Sequence, residues 1–87
     1  MDDNGSVTIS VKIICGAFAN YGDASEKHDF FRAHPESIGG RVYSLMGLWV
    51  WEVVFPDRCE IESYGWEIIP VTLDEEDLAS FGICVGE

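Results

Sequence analysis

The chain has 87 residues, sixteen of them acidic and five basic, for a formal net charge of −11, and 47% are hydrophobic. That apolar content suffices for one small core, so residues 1–87 are expected to fold as a single domain rather than remain disordered. The shortage of Lys and Arg argues against binding nucleic-acid phosphates or an anionic membrane and favours a basic partner, a metal ion, or mere solubility.

Met1 to Gly5 reads as a short acidic tail. From Ser6 to Phe18 apolar and polar residues alternate, with Val7, Ile9, Val11, Ile13 and Cys15 on one side, which predicts a half-buried strand over about 6–18. Asn20-Tyr21-Gly22-Asp23 carries turn chemistry. Asp23 followed by Glu26 has capping-box spacing, so a short helix is predicted over about 24–34, held by Phe30 and Phe31 and ending before Pro35. Gly39-Gly40 then releases the chain into a long apolar run.

That run, Arg41 to Phe55, and the segment Cys59 to Ile69 are rich in Val, Ile, Trp and Tyr and flank Pro56-Asp57-Arg58, a turn-like segment. Together they predict a long central β-hairpin over about 41–55 and 59–69, with Gly47 as a bulge. A three-residue loop sets Val53 against Ile61 and Trp51 against Ser63 on an apolar face, and Glu52 against Glu62, beside Glu60, on the other. Pro70 suits an edge or a strand end. A second short helix is predicted over about 74–81, with Asp74 or Thr72 as its cap and Glu75, Glu76 and Asp77 at the positive end of its dipole. After Gly82, Ile83-Cys84-Val85 suggests a last short strand. The fold class is α+β: one mainly antiparallel sheet with its two helices gathered on one face.

No sequence pattern points to catalysis or to a cofactor. His28 and His34 stand six apart and resemble solvent-exposed helix residues rather than metal ligands, and no serine lies in a nucleophile elbow. Gly39-Gly40 lacks the Lys-Ser/Thr of a phosphate loop. Cys15, Cys59 and Cys84 are odd in number and sit in apolar surroundings, which suits buried free thiols in a reducing compartment. No basic leader and no apolar run of about 20 residues is seen, so a cytoplasmic location is expected.

The expected contact residues are carboxylates and aromatics. Glu52, Glu60 and Glu62 crowd one end of the predicted hairpin at a cost of a fraction of a kcal/mol to ~1 kcal/mol unless a partner neutralises them. Tyr64 and Trp66 fall on the same predicted face and have the character of interface anchors. Asp74, Glu75, Glu76 and Asp77 form the next densest negative run. In size and charge the chain resembles small phage- or mobile-element-encoded inhibitors of host defence, including anti-CRISPR proteins and DNA mimics. The net charge, small size, absence of catalytic motifs and clustered carboxylates give the expectation of a non-enzymatic inhibitor occupying the basic, nucleic-acid-binding surface of a partner protein, without binding nucleic acid itself; the resemblance, one of size and charge only, assigns no residue and no target. Two other readings are an immunity protein that neutralises a basic nuclease toxin, and a small enzyme or ligand-binding domain with a pocket of Tyr43, Trp49, Trp51 and Phe55. The chain is expected to be a monomer, or a homodimer joined through an edge near Pro70 or the last strand.

Overall fold

A computed structural model describes residues 8–83. The elements are β1 (Thr8–Phe18), α1 (Tyr21–Arg32), β2 (Gly39–Leu45), β3 (Leu48–Pro56), β4 (Glu67–Asp74) and α2 (Glu75–Ser80). The four strands form one antiparallel sheet in the order β2-β3-β1-β4, which is the predicted α+β class with a different internal pairing. Ser6, Val7 and the expected strand around Cys84 lie outside the described residues.

The predicted long hairpin is replaced by two features. Arg41 to Phe55 folds back on itself: Met46 (φ 53°) and Gly47 (φ 83°) both adopt left-handed backbone and join β2 to β3, with Leu45 opposite Leu48. Two central residues with positive φ define a type I′ hairpin turn, normally Asn-Gly or Asp-Gly. Methionine in the first place hides the signal. Pro56 to Cys59 does turn, with the Cys59 amide donating to the Pro56 carbonyl at 3.0 Å. The chain beyond it crosses the sheet irregularly until Glu67, and β1 lies between β3 and β4.

Register fixes the two faces. Ile13 pairs with Val54 and Ile14 with Val53, so the first pair looks to one side and the second to the other. On one side Ile14, Trp51, Val53 and Phe55 pack with Ala24 and Phe31 of α1. On the other, Val11, Ile13, Val54 and Leu73 pack with Leu78 of α2 and with Phe81. The helices therefore cover opposite faces, correcting the expectation that they share one. β1 and β3 are the central strands, and β1 is covered on both sides rather than half-buried as its alternation predicts, since Val11 and Ile13 are buried on one face and Ile14 on the other; the near-continuous apolar run of β3 reflects the same two-sided burial.

Both helices owe their starts to local side chains. Asn20, not Asp23, caps α1: its Oδ1 accepts from the Asp23 amide at 2.8 Å while its Nδ2 donates to Asp23 Oδ2 at 3.0 Å. The capping box thus begins three residues earlier than predicted, because Asn is as good a cap as Asp and leaves Asp23 inside the first turn, where the dipole favours it. Asp74 caps α2 by accepting from the Asp77 amide at 2.9 Å, as predicted. Pro70 lies within β4, an edge strand, where its missing N–H removes a donor from a surface that would otherwise invite pairing.

Candidate functional site

The 57–66 segment lies over the face that α1 covers, because Cys59 and Ile61 point into the core formed by Trp51, Val53 and Phe55. Lys12 ties it down, donating from Nζ to the Cys59 carbonyl at 2.8 Å. With those residues facing inward, Asp57, Glu60 and Glu62 are exposed. Between this segment and the end of α1 runs a groove of ≈ 380 Å³, lined by Phe30, Phe31, His34, Ile61, Glu62 and Tyr64 among others.

Aromatic rings form the floor and wall of the groove. Phe31 is buried and stacks on Trp51 with centroids 5.3 Å apart, while Phe30 stands edge-on to Phe31 at 5.0 Å and to Tyr64 at 5.5 Å. Adjacent helical residues point about 100° apart, and of the two Phe side chains predicted to hold the helix only Phe31 is buried in the core. Phe30 is the one left at the surface. Tyr64 is 64% exposed and sits at φ 53° in a tight turn with Gly65 (φ 90°), closed by the Trp66 amide donating to the Ser63 carbonyl at 2.9 Å. A bulky residue with left-handed backbone costs about 1 kcal/mol, and such costs concentrate at functional positions.

The histidines are half-buried, not solvent-exposed as predicted. His34 packs edge-on to Phe55 at 5.2 Å and accepts from the Glu36 amide through Nδ1 at 3.0 Å; His28 Nδ1 lies 3.0 Å from Asp29 Oδ1. Among the described residues, no group of three His, Cys, Asp or Glu side chains is arranged to hold a metal ion.

The carboxylates predicted to cluster are found in three places. Glu60 and Glu62 are both exposed, and Glu62 lines the groove with Tyr64. Glu52 is on the opposite face of the sheet, opposite Arg41 on β2 and Cys15 on β1, so the predicted contact with Glu62 does not form. Its Oε1 accepts from Arg41 Nε at 2.7 Å and its Oε2 from the Tyr43 hydroxyl at 3.2 Å. Arg41 also donates to Ser80 Oγ at 2.9 Å and lies over the Phe81 ring, linking the sheet to the end of α2. Asp74, Glu75, Glu76 and Asp77 are exposed around the start of α2, where Asp74 has its capping role. Trp66 is half-buried, edge-on to Trp51 at 5.3 Å and tilted against Phe18, and it does not line the groove.

The alternative pocket of Tyr43, Trp49, Trp51 and Phe55 does not form. Trp51 and Phe55 are fully buried, Trp49 packs against Tyr21, and Tyr43 lies on the other face with Glu52. Gly16 makes room for this packing: a Cβ there would fall 2.5 Å from the Trp66 ring and 2.9 Å from Trp51 Nε1.

Burial and charge act together on the Glu52 face. Cys15 stands between Glu52 and Glu67, and burial first, then the two carboxylates, push its thiol pKa up. The Tyr43 phenol is pushed up by burial and by Glu52. Both effects keep these groups protonated and unreactive.

Compared with protein-family models, curated proteins and solved structures, the chain matches none.

Proposed function

We propose that this is a small acidic, non-enzymatic binding protein that inhibits a partner by occupying its basic, nucleic-acid-binding surface, as phage or mobile-element anti-defence proteins do. One observation carries the reading. Every Asp and Glu among the described residues except Glu52 is exposed, whereas of the five bases Lys12, Lys27 and Arg41 are half-buried against a backbone carbonyl, aromatic rings and Glu52, leaving only Arg32 and Arg58 exposed. The outward field is therefore dominated by carboxylates, which steers association with a positive surface.

Glu60, Glu62 and Tyr64 form the centre of the contact, with half-buried Trp66 two residues further along the chain. Exposed Phe30 adds an apolar anchor at the groove, and aromatic anchors ringed by polar groups are the usual composition of an interface hot spot. Asp74, Glu75, Glu76 and Asp77 extend the negative surface. Glu52 has no contact role in this proposal, since Arg41 and Tyr43 already satisfy it. The test is affinity capture from the natural host on the immobilised chain: the captured protein should be basic, bind nucleic acid and be displaced by duplex DNA. A neutral or acidic partner that DNA leaves in place would count against the reading.

A further inference from the structure

The chain already holds one of its own arginines between rings and a carboxylate. Arg41 Cζ lies 4.3 Å from the centre of the Phe81 ring and 5.0 Å from that of Tyr43, while Arg41 Nε donates to Glu52 Oε1 at 2.7 Å. A guanidinium is planar, delocalised and weakly hydrated, so it stacks on aromatic faces and pairs with a carboxylate at the same time. Phenylalanine, tyrosine and glutamate together hold it here.

The same residue types come together on the face that α1 covers. The groove between the end of α1 and the 57–66 segment is lined by Phe30, Phe31, Tyr64 and Glu62, with Ile61 and His34 beside them. Its rings cross at interplanar angles of 88° for Phe30–Phe31, 76° for Phe30–Tyr64 and 57° for Phe31–Tyr64. In an edge-to-face pair one ring offers only its edge, so its faces stay open to another group. Phe30 and Tyr64 are both more than half exposed, which lets a group from outside reach them.

Among the described residues, no Lys or Arg lines this groove and Glu62 has no ion-pair partner. The bases of α1 are engaged elsewhere. Arg32 Nη1 donates to Ser37 Oγ at 2.9 Å. Lys27 Nζ lies 5.7 Å from the Phe30 ring centre and 5.9 Å from that of Trp66, close to the limit of about 6 Å for a cation–π contact.

We infer that the groove receives one arginine side chain, supplied by the basic partner on whose existence this inference rests. Charge complementarity and ring geometry choose the occupant. A carboxylate among three aromatic rings favours a cation over a neutral apolar group, and open ring faces favour the planar guanidinium over the strongly hydrated ammonium of lysine. At ≈ 380 Å³ the groove is near the lower end of the range of about 300–1,000 Å³ for ligand pockets, which suits one side chain.

The experiment is an NMR titration of the intact, isotope-labelled chain with N-acetyl-arginine amide. Its neutral isostere N-acetyl-citrulline amide, N-acetyl-lysine amide and tetramethylammonium are titrated in parallel. The arginine probe should give saturable shifts at Phe30, Ile61, Glu62 and Tyr64, the two ammonium probes should bind more weakly, and the citrulline probe should give none. Phe30→Ala and Glu62→Gln should each weaken the arginine probe by about two- to fivefold, the size expected of one exposed cation–π contact or ion pair. Both side chains are exposed, so both variants keep the fold, and unchanged amide shifts away from the groove verify it. No saturable shift at the groove, citrulline binding as well as arginine, or either ammonium probe binding as tightly, would overturn the inference. Partner binding that weakens with salt while the arginine probe leaves the groove untouched removes this inference alone. An arginine probe that fills the groove of a chain whose captured partner is neutral supports the groove's ligand class and removes only the reading of a basic partner.

Discussion

Glu52, Glu60 and Glu62 are the same residue type, yet the fold gives them different work. Glu52 is half-buried and completes a charged, hydrogen-bonded pair with Arg41, whereas Glu60 and Glu62 face water. Glu52→Gln should therefore destabilise the protein by about 1 kcal/mol, a modest figure because Arg41 is partly solvated. Glu60→Gln and Glu62→Gln should stay within about 0.5 kcal/mol of the parent. Chemical denaturation of the three single variants checks this; equal stability for all three would remove the structural role of Glu52. Cys15 offers a second test. Because burial, Glu52 and Glu67 all disfavour its thiolate, Glu67→Gln should lower the pKa and speed alkylation of Cys15 at fixed mildly alkaline pH. The sign for stability follows from the same shift. The folded state holds the proton more tightly than the unfolded one, so this contribution is complete below the ordinary thiol value of 9.0 and is lost as pH rises above it. Tyr43 acts in the same direction above 10.0.

Among the elements, the existence of β1 and both helices was legible in the sequence because their signals are local, though alternation hid the burial of β1 on both faces and the cap of α1 is Asn20 rather than Asp23. The central hairpin was not. Its real turn, Met46-Gly47, carries half of the usual signature, and the stronger punctuation at Pro56-Asp57-Arg58 belongs to a turn that opens a long crossing segment. A sheet in which β1 inserts between β3 and β4 is a non-local fact that no dipeptide encodes. The candidate site inherited this error. Glu60, Glu62 and Tyr64 still lie close to one another because they are neighbours in sequence, while Glu52, assigned to them through strand register, moved to the other face. Gly16 tests the packing that results. Gly16→Ala would drive a methyl into the Trp66 ring and against Trp51, and overpacking of this kind costs about 1–3 kcal/mol. Thermal unfolding of the variant measures it, and an unchanged melting temperature would contradict the Trp51–Gly16–Trp66 arrangement.

Across the whole molecule, charge is sorted along the sheet. The acids of α2 lie towards the Thr8 end, Glu62 lines an aromatic groove, and the stretches 13–22 and 42–51 contain no Asp, Glu, Lys, Arg or His. Among the described residues no helix is long and apolar enough to cross a membrane. The central proposal is that the carboxylate surface takes the place of nucleic acid on a basic partner, and this depends on charge more than on any one contact. The most direct measurement is the affinity of the captured partner for the chain as a function of salt, with the variant Glu60→Gln/Glu62→Gln/Tyr64→Ala as its companion. The account predicts that binding weakens steeply with rising salt and that the triple variant keeps its fold and loses most of its affinity, because charged groups at an interface lose both steering and pairing when neutralised. Affinity that stays flat across the salt range and is unaffected by the three substitutions would contradict it.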